Sequence, residues 1–550
     1  MALGAGQRRG AAAFGSSNLQ RRSDNDHPRT QLALAAPRLT EKRRHMNLNQ
    51  RSAGVLLHIT SLPGPHGMGD FGPDAFAFVD WLHSAGQSIW QLLPTTPIGP
   101  GDSPYQGVSA FAGSQWMVAF EPLIAKGWLA PLHLPTDGFD AQVVDYGRVL
   151  PWREQQLRLA SAGFFAKASA EDRAAFATWC EAQQDWLDDY ALFMAIRSPL
   201  NGLPWWSWAP ALARREPEAL AAARLSHADE YRFWQFVQWA FDSQIGALKA
   251  YANSKGVSIM GDLPIFVAHD SADCWSRPEL YHLDENFQTT VVAGVPPDAM
   301  SLEGQRWGNP LYRWEAMAAD NYSWWTARVK RALSQADVFR IDHFRGFAGY
   351  YEIPAASPDA KQGQWITGPG QALFDAIAAA LGALPIVAED LGFITPDVHA
   401  LRDGCGFPGM KILQFGFGGD ATHEFLPHMW PRNCVVYTGT HDNDTVRGWW
   451  DKAAPHERAY AGAYLACGEQ DVHWAMIRAC CNSVANMAVF PLQDVLGLGG
   501  EHRMNVPGVL GGNWSWRFTW SMLGAEPTRV LGLISAAAGR APIGLLQLPA

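Results

Sequence analysis

Short apolar runs recur along the chain from residue 54, and stretches with helical spacing fill most of the intervals. Gly54–His58 (GVLLH) is the first run. Others lie at Ser88–Pro94, Val257–Phe266, Val338–His343, Pro385–Asp390, Met410–Phe415, Cys434–Thr438 and Met487–Leu492. Each reads as a short strand. Pro73 stands at a first helical position, and Phe78, Leu82 and Ala85 follow at helical spacing up to Gly86. Amphipathic stretches through Phe241, Ile245 and Leu248, through Trp325, Val329 and Leu333, and through Phe374, Ile377 and Leu381 precede the third, fourth and fifth strands. Thr395–Gly404 has a Thr cap, Pro at the first position and Gly at its end.

Eight strands alternating with helices predict an α/β fold, a closed parallel (β/α)8 TIM barrel. Two intervals are too long for one helix. Residues 115–235 hold Trp-rich helical sequence, and residues 267–320 hold Gly- and Pro-rich loop sequence. Both are expected to be insertions at the C-terminal face of the barrel, within one catalytic unit over residues 46–550. Residues 1–45 differ from the rest. They contain nine Lys/Arg and three Asp/Glu, a charge of +6, and show no sustained period. They read as a disordered extension, or as the product of a start codon upstream of the true one at Met46.

Composition narrows the function. Of 550 residues, 48% are hydrophobic and 17% charged, which excludes a mostly disordered chain. The formal charge of −10 becomes −16 without the extension, and no basic tract interrupts it. Nucleic acid is not expected as a partner, and no apolar run is long enough to span a membrane. Seven Cys without a CxxC pair fit a reducing cytoplasm, not a disulfide scaffold or zinc ribbon. The 25 Trp are read mainly as core filler, although indole rings also stack on sugars.

The chemistry is positional. Asp262, Asp342, Glu389 and Asp442 each fall at or just beyond the C-terminal end of a predicted strand, the end where barrel enzymes do their chemistry. Four converging acids admit a divalent metal site or a carboxylate pair for glycoside cleavage. Arg340 lies two residues before Asp342, on the same strand face, and is expected to hold that carboxyl ionised. Glu389 follows an apolar strand, which favours a protonated carboxyl. An ionised nucleophile with a protonated partner is the pair used in retaining glycoside chemistry.

At this point the chain resembles the 4-α-glucanotransferases (amylomaltase, disproportionating enzyme) of glycoside hydrolase family 77, in the α-amylase clan. The matching segments include LLHITSLPGPHGMGDFG (56–72), GDSPYQ (101–106), GDLPIFVAHDSADCW (261–275), VAGVPPD (292–298) and GQRWGNPLY (304–312). FRIDHFRGF (339–347), AEDLG (388–392), PGMKILQF (408–415), YTGTHDNDT (437–445), NVPG (505–508) and GNWSWR (512–517) complete them. The resemblance implies Asp342 as nucleophile, Glu389 as acid/base and Asp442 as transition-state stabiliser. It implies that Asp262, Arg340, His343 and His441 line the subsite of the reacting glucose, and that Ser103 and Tyr105 shape the donor-side cleft. Trp307 and Asn309 would sit on a loop over the cleft. It implies no metal, cofactor or nucleotide, maltooligosaccharides and α-1,4-glucans as substrates, and a monomer or weak homodimer. The run after Asp298 departs from the family: Ala299 and Met300 stand where aromatic residues are usual. An α-amylase-like hydrolase with the same carboxylates is the rival enzyme. A catalytically dead glucan-binding protein is the rival outside enzymes, and it would be expected to have lost one of the three carboxylates.

Overall fold

Eight buried apolar runs pair edge to edge as parallel strands, and they are the eight that the hydrophobic pattern picks out. In this computed structural model residues 46–297 and 302–546 are described. The extension 1–45 and the departure at Ala299 and Met300 lie outside the described residues. The strands are β1 (Ser52–Leu56), β2 (Ile89–Gln91), β3 (Ser258–Leu263), β4 (Val291–Val295), β5 (Gln305–Pro310), β6 (Val338–Ile341), β7 (Gly349–Pro354), β8 (Gln364–Thr367), β9 (Ile386–Ala388), β10 (Gly409–Ile412), β11 (Cys434–Tyr437) and β12 (Met487–Pro491).

The large sheet runs β10-β11-β12-β1-β2-β3-β6-β9, parallel throughout. The Ala388 amide donates to the Pro408 carbonyl at 2.9 Å and joins its two ends. The result is a (β/α)8 barrel. The predicted helical stretches form and bury their apolar faces. Phe78, Leu82 and Ala85 are buried against the barrel, as are Val329 and Leu333 of the helix Ser323–Gln335 and Phe374 and Ile377 of the helix Gln371–Leu381. Thr395 stands at the N-cap of the helix Pro396–Gly404.

Between β2 and β3 the chain forms three long helices, Tyr146–Lys167, Ala170–Arg197 and Ala228–Ser254. The last also supplies the barrel helix before β3, with Phe241, Ile245 and Leu248 buried. Asp145 caps the first through the Arg148 amide, and Ser169 caps the second through the Asp172 amide. Trp90, Trp205, Trp275 and Trp325 are among the largest fully buried side chains, which is the core-filler reading of those four.

The second long interval is not only loop. β4 and β5 pair antiparallel within it, with a register shift between Val292 and Gly294, and β7 and β8 extend the sheet in the order β5-β4-β7-β8. These four strands leave the barrel after β3 and β6, so they belong to its C-terminal rim. Val292, Tyr351, Ile353 and Ala360 form their own small core. Among the described residues no helix is long and apolar enough to cross a membrane.

Candidate active site

The C-terminal ends of β3 and β6 put Asp262 and Arg340 side by side, because the two residues are register partners. The Arg340 guanidinium donates to both Asp262 oxygens, from Nε at 3.1 Å and from Nη2 at 2.9 Å. The same Nη2 donates to Asp342 Oδ1 at 2.8 Å. Asp342 lies one residue past β6, where its amide donates to the Leu263 carbonyl at 3.0 Å. The Asp262 side chain is 0% exposed and that of Arg340 4%, against 32% for Asp342 and 47% for Asp442. The first two therefore form a buried floor, and the latter two face the opening.

Tyr105 ties this floor to the segment after β11. Its hydroxyl donates to Asp262 Oδ2 at 2.7 Å and lies 3.0 Å from His441 Nε2. The two rings stack with centroids 5.3 Å apart. His441 Nε2 is 3.2 Å from Asp442 Oδ2, and Asn505 Nδ2 donates to Asp442 Oδ1 at 2.6 Å. Arg503 Nη2 donates to the Asp442 carbonyl at 2.7 Å.

Glu389, one residue past β9, is held by backbone. The His343 amide donates to Oε2 at 2.7 Å and the Leu391 amide to Oε1 at 2.8 Å. His343 has φ 52°, a left-handed conformation uncommon outside glycine. This sharp turn after β6 accompanies the contact of its amide with Glu389. The His343 ring packs edge-on against Trp307, centroids 4.8 Å apart.

The electrostatics separate the acids. Burial, with the like charge of Asp342, pushes Glu389 up to about 8, although Arg340 and the two amides oppose it. Burial also lifts Asp342 above the ordinary carboxylate range, and Arg340 opposes that lift. The guanidinium favours the ionised carboxylate, as its position on the strand predicts, and burial opposes it. Desolvation is the larger influence, and the Asp262 and Asp442 charges add to it. Burial raises Asp442 too, but His441 and the hydrogen bond from Asn505 outweigh it and hold the carboxyl well below its usual range. Burial pushes the neutral His343 ring down to about 3, helped by Arg345.

Of the residues expected from sequence, Asp262, Asp342, Glu389, Asp442, Arg340, His343, His441 and Tyr105 come together. Ser103 does not join them by a side-chain bond: its hydroxyl accepts the Tyr105 amide at 3.2 Å, a local turn around Pro104. Trp307 and Asn309 are on strand β5 and not on a loop, because that segment pairs with β4. Asn309 is buried and donates to the Val267 carbonyl at 2.8 Å, so it braces the rim. Among the described residues no group of three or more His, Cys, Asp or Glu is arranged to hold a metal ion.

Three residues of this neighbourhood had no role in the sequence reading. Asn505 lay inside the NVPG segment, and Trp514, whose ring sits 5.8 Å from Tyr105 and 5.9 Å from His441, lay inside GNWSWR. His58, just past β1, is buried with neither ring nitrogen bonded. Burial and the nearby His441 push it down to about 3.

Comparison with known proteins points to one family. The family model described as 4-alpha-glucanotransferase matches residues 57–522. A 4-alpha-glucanotransferase of Thermus thermophilus is 50% identical over 484 residues, covering 86% of this chain and 96% of that protein. Another from Synechocystis is 47% identical over 476 residues, covering 86% and 94%. The solved amylomaltase of Streptococcus agalactiae, in complex with acarbose, superposes with a TM-score of 0.86 at 36% identity, covering 90% of this chain and all of that one.

Proposed function

The chain belongs to glycoside hydrolase family 77, the 4-alpha-glucanotransferases, and from that membership we propose how its acid cluster works. The protein transfers α-1,4-glucan segments from a donor to an acceptor, and the amylomaltase likeness favours transfer over plain hydrolysis. The observation that carries the residue assignment is the unequal pair of acids. Glu389 is pushed up to about 8 and holds a proton at neutral pH, whereas Asp342, although also raised by burial, touches the Arg340 guanidinium, which favours its ionised form.

Asp342 attacks the anomeric carbon of the donor glucose while Glu389 gives its proton to the departing glycosidic oxygen. The reducing-end part leaves as a free 4-hydroxyl, and the sugar remains as a β-glycosyl ester on Asp342. Glu389, now ionised, takes the proton from the 4-hydroxyl of an acceptor. The acceptor oxygen attacks the same carbon and releases Asp342. Two inversions return the α configuration. Asp442, kept ionised by His441 and Asn505, faces the developing positive charge of the sugar ring. Arg340, Asp262, His441 and Tyr105 hold one network in which a single glucose unit is oriented. We place the enzyme in a reducing cytoplasm, a reading supported by cysteines of which none is bridged among the described residues.

Maltotriose is the test substrate. Transfer yields glucose and longer chains with no net gain in reducing ends. Accumulating reducing ends without longer products would make the enzyme a hydrolase instead. For the roles, Glu389→Gln treated with a glycosyl fluoride should trap sugar on Asp342, and label found on Asp262 would refute the assignment.

A further inference from the structure

His58 lies two residues past β1, and together with His441 it lines a cavity of about 20 Å³. The chain there is fixed from both sides. The Leu57 amide donates to the Gln91 carbonyl at 3.0 Å, and the Trp90 indole donates to the Leu57 carbonyl at 2.8 Å. By size the cavity takes one water, for which roughly 10–15 Å³ is enough.

The other charged groups of this cavity have partners. Asp494 accepts from the Thr438 hydroxyl at 2.6 Å and from the Val446 amide at 2.7 Å. Asp444 accepts from Lys452 at 2.5 Å and from the Thr445 amide at 2.9 Å. Arg503 donates to the carbonyls of Asp442 and Asn505 at 2.7 and 2.8 Å. His58 differs. It is 4% exposed, and neither ring nitrogen has a hydrogen-bond partner among the described residues. Buried polar groups are nearly always bonded, to protein or to ordered water. A neutral imidazole carries one donor and one acceptor, so it can bind a water.

His441 is the other imidazole of the cavity. Its Nε2 faces two acceptors. One is Asp442 Oδ2 at 3.2 Å, and the other is the Tyr105 oxygen at 3.0 Å, whose own proton goes to Asp262. Nε2 therefore carries the proton, and in the neutral ring Nδ1 is left as an acceptor. We propose that His58 is a positioning residue: through one buried water bonded to both imidazoles it fixes His441 in its Nε2–H form and keeps that ring donating to Asp442. The water donates to His441 Nδ1 and accepts from the ring N–H of His58. The proposal rests on the reading above that Asp442 stabilises the transition state. Burial, with the nearby His441, pushes the His58 ring down to about 3, so it adds no positive charge beside His441.

Substitutions separate this role from packing. His58→Phe keeps a ring without polar atoms, and His58→Leu is a second apolar variant should the phenyl ring prevent folding. His58→Asn and His58→Gln restore a donor and an acceptor at two different reaches. In maltotriose transfer each folded apolar variant should lose about 5- to 20-fold in kcat, the size of one hydrogen bond, with KM within about twofold. One of the two amide variants should return to within about threefold of the parent. Isotope-labelled histidine, read by nitrogen NMR, gives a readout that needs no turnover. The His441 signal, identified by its loss in His441→Gln, should report the Nε2–H form in the parent and a shift towards the Nδ1–H form in the apolar variants. An unchanged His441 tautomer in the apolar variants overturns the proposal. Equal loss of kcat in the apolar and amide variants overturns it too, because that is packing alone. A parent that transfers nothing from maltotriose overturns the assigned activity instead, and the tautomer comparison still decides the role of His58.

Discussion

Glu389 keeps its proton because the apolar end of β9 and the nearby Asp342 charge disfavour ionisation more than Arg340 and two amides favour it. As the general acid it must be protonated for the first step, so kcat/KM should fall as pH rises through about 8. A pH–rate profile with maltotriose checks this, and an alkaline limb several units lower would remove the assignment. The same shift has a stability consequence. The folded value lies above the ordinary 4.5, so the group's contribution is fully present below about pH 4.5 and is lost as pH rises to about 8. Thermal melts of Glu389→Gln should lack that decline, and the variant should gain on the parent between these limits. Asn505 is the neighbouring case. It touches Asp442 through a 2.6 Å bond, so it acts as a positioning residue. Losing a hydrogen bond to a charged group, worth about 1.5–3 kcal/mol, should cost Asn505→Ala about 10- to 100-fold in kcat. KM should change little, and a pure KM effect would place Asn505 in substrate binding.

At the scale of elements, β1 and β2 approach more closely than side chains allow. A Cβ at Gly54 would come within 2.3 Å of the Ile89 carbonyl oxygen and 2.4 Å of the Ile89 Cβ. Gly54→Ala should therefore destabilise the barrel by about 1–3 kcal/mol through overpacking, measured by chemical denaturation. A neutral result would show that the two strands separate freely. The same tight burial is why the barrel strands were legible in the sequence. Strands covered on both faces read as unbroken apolar runs, and all eight were found. In the rim sheet β4 (VVAGV) carried that signal, but β5 and β8 did not. β8 (QWIT) is mostly exposed, and β4 and β5 are separated by Gly- and Pro-rich sequence. The carboxylates were legible because strand ends mark the mouth of a barrel. Asn505 and His58 were not, since their partner, the segment around His441 and Asp442, lies far along the chain and no local period points to it. For Asp342 a sequence displays the adjacent arginine, which favours the ionised form, but not the loss of water that opposes it.

At the largest scale, a seam joins the start of β1 to the last α-helix of the described residues. Arg51, at the start of β1, donates to the carbonyls of Ser483 at 2.9 Å, Cys481 at 3.0 Å and Ala538 at 2.9 Å. Arg540, buried and pushed down to about 10 by that burial, donates to the carbonyls of Ser52, Asn486 and Ala485 at 2.9, 2.9 and 2.7 Å. Two guanidinium groups thus hold the β1–β12 pair and the C-terminal helix Ala525–Ala537 together, and they share the carbonyls of Cys481, Ser483 and Ala485. Arg540→Ala removes donors from several buried carbonyls at once and should destabilise the fold by about 3 kcal/mol or more. Arg51→Ala, at a half-buried site, should cost less. The anchoring begins at Arg51, so a chain that starts at Met46 should retain both melting temperature and transfer activity. A fall in Tm on that truncation as large as the fall in Arg51→Ala would show that residues 1–45 hold the seam as well.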